Sequence, residues 1–216
     1  MKILLDLGAL IPAFRPAAGP PPRSIGAFFN WCLKGSWKML GFAAFVSAIA
    51  GTAEVVSAWI LGWVVDASLA SGASGFFSDH AWSLGLCVLF YLVARPLAFA
   101  ASSAANSIII GPNVMPLVLS RLHRWTLGQS ITFFDNDFAG RIAQKQMQAA
   151  RAVTDVVTET INTGAFALAS VVASVIYLVS IDVRIAVLLA VWLVIYVFLI
   201  RHFVPRVKKN SAARAS

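Results

Sequence analysis

Two charged residues stand where a charge is costly. Glu54 is the one charge in an apolar run from about Leu40 to Val65, and Arg95 the one in a run from about Trp82 to Ile110. Ionisable groups inside such runs point to function or to mutual pairing. Glu54 lies twelve residues before Asp66, and Arg95 thirteen after Trp82. At ~1.5 Å per residue the two depths agree to within about 2 Å, so antiparallel neighbours could join them as an ion pair. Such a pair would fix the register of two helices, or would form a polar wall of a substrate cavity. The other reactive side chains form no set. His80, His123 and His202 are scattered without metal-ligand spacing, and Cys32 and Cys87 read as small buried hydrophobes. There are no paired carboxylates, no Ser-His-Asp arrangement and no G-x-x-x-x-G-K-[ST] phosphate loop.

The elements that hold those charges follow from composition. Hydrophobic residues make up 59% of the 216, charged residues 12%, and mean hydropathy is +0.81. That is more apolar surface than a soluble domain of this size hides, so lipid must face part of it. The net charge of +8 comes in short runs between apolar stretches. No basic face with interleaved aromatics appears, which argues against a nucleic-acid partner.

Hydropathy predicts an all-α polytopic membrane protein with four spans, at about 38–66, 82–110, 161–181 and 183–204. Within the fourth, the uncharged core of 185–200 rises only ~24 Å, so Arg184 must snorkel. Pro16, Pro20, Pro21 and Pro22 make residues 1–23 a stiff, extended lead with no signal-peptide pattern. Residues 24–37 read as a short interfacial helix, with Ile25, Phe28, Phe29 and Leu33 apolar and Trp31 and Trp37 as headgroup-level anchors.

Lys and Arg set the orientation. They occur in the leading segment, in the loop after the second span and in the tail from Arg206, whereas 66–81 has none. The positive-inside rule therefore places both ends and the loop 111–160 in the cytoplasm. That loop reads as a helical hairpin. Val114–Thr132 descends, and Arg141–Asn162 ascends with Ile142, Ala149, Ala150, Val153, Val156, Val157 and Ile161 along one stripe. Arg151, Asp155 and Glu159 follow at i,i+4 on the polar face. Between the arms lies Phe133-Phe134-Asp135-Asn136-Asp137-Phe138-Ala139-Gly140, an acidic, aromatic knuckle. By residue type alone it is either a solvated turn or a compact protein contact.

The run Leu122-His123-Arg124-Trp125-Thr126-Leu127, then Phe133-Phe134-Asp135, then Gly140-Arg141-Ile142 resembles the first intracellular loop of ABC exporters of the multidrug and lipid-flippase type. Leu61-Gly62-Trp63-Val64-Val65-Asp66 is similar to the end of that family's first span, and Asp182-Val183-Arg184 to the turn before its fourth. Phe28–Trp37 resembles its elbow helix, and the basic tail from Arg206 the start of its second intracellular loop. The chain departs from the pattern at Ser57-Ala58-Trp59, where many members have a proline, and at Ala149, where an aspartate is common.

The resemblance implies that residues 24–216 are part of a six-span transmembrane domain and that the sequence belongs to a longer protein. Phe134, Asp135, Asn136, Asp137, Phe138 and Gly140 would then be the first coupling helix, resting on a nucleotide-binding domain, fused or separate. It further implies a second transmembrane subunit, identical or different, and a bacterial inner (plasma) membrane. ATP and Mg2+ would act in the nucleotide-binding domain, since these 216 residues carry no catalytic group for ATP hydrolysis. The expected function is ATP-driven export of an amphipathic or lipid-like substrate by alternating access. The alternative is a self-standing four-span scaffold or channel with no ATPase partner.

Overall fold

The structure, a computed structural model, describes residues 11–135 and 139–215. Asn136, Asp137 and Phe138 lie outside the described residues. The chain divides into two units, Met1–Ser170 and Val171–Ser216.

In the first unit, α1 spans Ile25–Leu33 and buries Trp31, Cys32 and Leu33. Gly35 then adopts φ +93°, and a Cβ there would stand 2.7 Å from the Arg15 guanidinium. Only glycine suits both the backbone angle and the neighbour, so the chain turns here into the first long helix. That helix, α2, spans Trp37–Asp79 and is interrupted at Gly72, whose φ of +66° ends the straight part. It outruns the apolar stretch by more than a turn because Asp66–Ser71 contains helix formers and nothing that breaks a helix.

The second long helix runs from Ala81 to Leu127, as α3 (Ala81–Leu89), α4 (Arg95–Ala104) and α5 (Gly111–Leu127) joined by π-helical turns at Phe90–Ala94 and Ala105–Ile110. Each π turn precedes a proline, Pro96 or Pro112. Proline offers no N–H to the carbonyl four residues back, and a widened turn accommodates that gap without ending the helix.

The hairpin differs from expectation in one respect. The descending arm ends at Leu127, because Gly128 caps it and Ser130 begins a separate short helix, α6 (Ile131–Asp135). There the Phe133 N–H donates to the Ser130 carbonyl at 3.0 Å. The ascending arm is α7 (Ala139–Glu159), which continues through a π turn at Thr160–Ala165 into α8 (Phe166–Ile181). Its stripe is narrower than its apolar residues suggest. Ala150, Val153, Val157 and Ile161 are buried, whereas Val156 is half exposed.

The buried core of this unit lies among α1, the start of α2 and the two hairpin arms. It includes Ile11, Leu33, Ile110, Val114, Leu117, Val118, Ala150 and Val153. Farther along the spans large apolar side chains such as Leu86, Leu92, Leu97 and Leu168 stay exposed, as helices facing lipid do. Residues 11–23 are not a free-standing lead. Ile11 is fully buried, and the Trp31 indole donates to the Ala18 carbonyl at 3.2 Å.

In the second unit, α8 ends at Ile181 and α9 runs Val183–Ala215. Asp182 starts α9 as an N-cap, its carboxylate accepting the Arg184 N–H at 2.8 Å. The helix carries a stacked Trp192–Tyr196 pair and exposed Leu188, Val194 and Phe198.

Candidate functional site

The first two long helices pack through small residues. On α2 the buried residues between Leu40 and Ile60, which are buried too, are all small: Ala43, Ser47, Ala50, Gly51 and Ala53, nearly all at i,i+3 or i,i+4 spacing. Helices in lipid gain no hydrophobic drive from meeting, so small side chains that permit close approach are what holds them. The Ser47 and Ser102 hydroxyls bond at 2.9 Å and are both buried.

One turn beyond Gly51, this contact presents Glu54 to Arg95. The Arg95 Nη2 donates to both Glu54 carboxylate oxygens, at 3.0 and 3.2 Å. The Phe99 ring lies 5.5 Å from the guanidinium carbon and covers it. Arg95 Nε is buried with no hydrogen-bond partner among the described residues. A proline and a π turn flank Arg95, and Tyr91 on that turn donates to the Ser57 carbonyl at 2.7 Å. The side chains of Glu54 and Arg95 keep 39% and 38% of their surface exposed, so the pair sits on a face of the helix contact and not in a closed core.

Gly51 also meets the third long helix. The Ser170 hydroxyl lies 3.0 Å from both the Gly51 and the Phe166 carbonyl oxygens and shares its one proton between them, and a Cβ on Gly51 would overlap the Phe166 carbonyl oxygen. Residue counting did not single out Gly51. Its signal was the run of small residues around it.

At the far end of the hairpin, Phe133 packs edge-to-face on Trp125 and on Phe134, at ring separations of 6.4 and 5.4 Å. Phe134 and Gly140 are exposed, and Asp135 ends α6. The two arms are tied by Gln146 Nε2 donating to Thr126 Oγ1 at 2.7 Å. Among the described residues no His, Cys, Asp or Glu cluster converges as a metal site. His80 instead bonds Ser71 at 3.1 Å and packs against Trp63. Arg121, which the sequence offered only as one cation among several in the loop, is 2% exposed.

Among the described residues, four helices long and apolar enough to cross a membrane, two of them continuous with the arms of a helical hairpin, define an integral membrane protein of the helical class. Residues 40–216 match the ABC transporter transmembrane region, and the chain belongs to that family. It is similar to an uncharacterized ABC transporter ATP-binding protein of Haemophilus influenzae, with 27% identity over 209 residues. The alignment covers 93% of this chain and 33% of that relative, so the chain spans about a third of the relative's length. No solved structure matches.

Proposed function

We propose that this chain is the membrane-spanning part of an ATP-driven exporter that moves an amphipathic or lipid-like substrate out of the cytoplasm by alternating access. The observation that carries the reading is mechanical. The second and third spans run without a break into the two hairpin arms, Ala81–Leu127 and Gly140–Ile181. Force applied at the knuckle therefore reaches the third span through continuous helix from Gly140, and the second span across the short break at 128–130. The H. influenzae relative is named for ATP binding, and the G-x-x-x-x-G-K-[ST] loop that such chemistry needs would lie outside these residues.

On this reading Phe134, Asp135, Asn136, Asp137, Phe138 and Gly140 form the surface that a nucleotide-binding domain presses, with Phe133 and Trp125 bracing it from behind. The basic loop and tail put the knuckle and both ends on the cytoplasmic side. Glu54 and Arg95 act as a bridge that holds the first two spans in register. A bacterial inner membrane is suggested by the H. influenzae relative, and a second transmembrane subunit by the family's general organisation.

The test is to replace Phe134 and Asp135 with alanine in the intact transporter. Nucleotide binding should stay near wild type while transport falls and hydrolysis no longer responds to substrate. Unchanged transport and unchanged substrate stimulation would rule the coupling role out. A genomic reading frame ending at Ser216, with no ATPase gene beside it, would favour the four-span scaffold or channel.

A further inference from the structure

The end of a helix leaves carbonyl groups with no partner inside the helix. In α1 those are taken up by a side chain from almost ninety residues away. The Arg121 guanidinium donates through Nη1 to the carbonyls of Trp31 and Cys32, at 2.7 and 2.8 Å. Through Nη2 it donates to the Lys34 carbonyl at 2.8 Å. Its Nε donates to the Arg15 carbonyl at 3.1 Å, on the proline-rich lead. Next to it on α5, the Ser120 hydroxyl shares its one proton between the Ala13 carbonyl at 2.9 Å and the Leu117 carbonyl of its own helix at 3.0 Å. A cation at the negative end of a helix dipole, satisfied by four carbonyls, is a stable way to bury an arginine without a carboxylate.

We propose that Arg121 is a positioning residue that fastens α1 and the lead to the descending arm, so that these three segments move as one body during transport. The transport part of this proposal rests on the function proposed above, whereas the fastening itself does not. The chemistry selects arginine. Its planar fork reaches carbonyls on two different segments at once, and a lysine ammonium is a single point on a flexible stem. Cys32, on α1, has no exposed surface and lies in the buried core together with Leu117 and Val118 of α5. Burial pushes its thiol up to about 12, against the opposing pull of the Arg121 charge.

Cys32 is therefore a built-in reporter. At pH 8, a thiol held near 12 is ionised about a thousandfold less than one near 9, and only the thiolate alkylates. Cys32 in membranes should accordingly resist N-ethylmaleimide, read by mass spectrometry of its peptide. Cys87, only partly buried, serves as internal comparison. Arg121→Met keeps the bulk and removes the donors, and should raise Cys32 alkylation at least tenfold. Arg121→Lys should rescue only in part. Ser120→Ala, which removes the donor shared by the Ala13 and Leu117 carbonyls and leaves the Arg121 bonds in place, should leave Cys32 protected. Continued protection of Cys32 in a folded Arg121→Met protein would overturn the fastening.

A second measurement keeps Arg121 in place. Spin labels at Ala27 on α1 and His123 on α5, both exposed, report the distance between the two elements in the intact transporter. The distance should be the same without nucleotide and with ATP trapped by vanadate. A change of one helical turn, ~5.4 Å, would refute motion as one body. A protein in which ATP alters nothing anywhere fails the transport reading, and the alkylation result then decides the fastening alone.

Discussion

Alanine substitution at two glycines of one helix should have opposite effects, because only one of them sits against a neighbour. Gly41 and Gly51 are both interior to α2. A Cβ at Gly41 meets nothing within 4 Å, whereas one at Gly51 would overlap the Phe166 carbonyl oxygen and stand 3.0 Å from Ser170 Oγ. Gly→Ala in a helix interior is favourable by about 0.8–1.0 kcal/mol through propensity alone. That benefit is common to both positions and cancels in the comparison.

What remains at Gly51 is packing. To admit the methyl, the first and third long helices must part by on the order of 1 Å, since neither the carbonyl of Phe166 nor the α2 backbone is free to swing away. Overpacking of this kind costs about 1–3 kcal/mol. Parting also breaks the Ser170 bond to the Gly51 carbonyl, worth about 0.6 kcal/mol in a membrane helix pair. The two substitutions should therefore differ by about 1.6–3.6 kcal/mol. Gly41→Ala should be stabilising and Gly51→Ala destabilising by about 0.6–2.8 kcal/mol net. Equilibrium unfolding in mixed micelles with increasing SDS measures the difference. Ser170→Ala separates the hydrogen bond from the steric part and should cost only about 0.6 kcal/mol. Equal effects at Gly41 and Gly51 would refute the close approach on which the small-residue packing depends.

Exchanging Glu54 and Arg95 should recover more folded protein than either single reversal, with a clear coupling energy in a double-mutant cycle. Zero coupling would contradict the bridge, and folded single mutants with altered substrate preference would favour a cavity wall. Cysteines at Ser78 and Gln148 should label from opposite faces of the membrane with an impermeant maleimide, and labelling from one face would overturn the orientation read from the basic loops. Tyr91→Phe should cost about 1 kcal/mol by removing the donor to the Ser57 carbonyl, and no change would mean the π turn needs no tether. The folded state holds the Cys32 thiol near 12 against an ordinary 9.0, so its contribution is full below pH 9 and lost as pH rises towards 12. Cys32→Ala should flatten stability across that window, and an unaltered slope would assign it to other groups.

The sequence carries the fold where each residue's cost depends on its neighbours along the chain. Long apolar runs, a caesura at Asp182 and the loop rich in Lys and Arg depend only on local order, so the four long helices are legible from them. Glu54 and Arg95 come to one depth by counting, because helix rise is fixed, and in the structure they lie 3.0 Å apart. Where local rules compete, counting is less informative. Asp66–Ser71 looks like loop by polarity and is helix by propensity, and Gly128 ends the descending arm before the apolar pattern does. Val156 belongs to the apolar set by type and stands outside the core by angle.

Arg121 shows what no local reading supplies. Its neighbours in sequence mark it as a loop cation, and several other residues in the same hairpin look identical by that standard. What distinguishes it is a demand created elsewhere. The turn after α1 strands carbonyls at Trp31, Cys32 and Lys34, and burying that turn against α5 removes the water that would otherwise satisfy them. The requirement for a donor originates at residues 31–34, and the supply arises at residue 121. Only the packing that brings those segments together makes one the answer to the other. The same logic explains why a full positive charge is tolerated at 2% exposure with its four hydrogen bonds going to backbone carbonyls. The helix end provides the negative field, so the arginine is neutralised by backbone, a partner that leaves no trace in residue type.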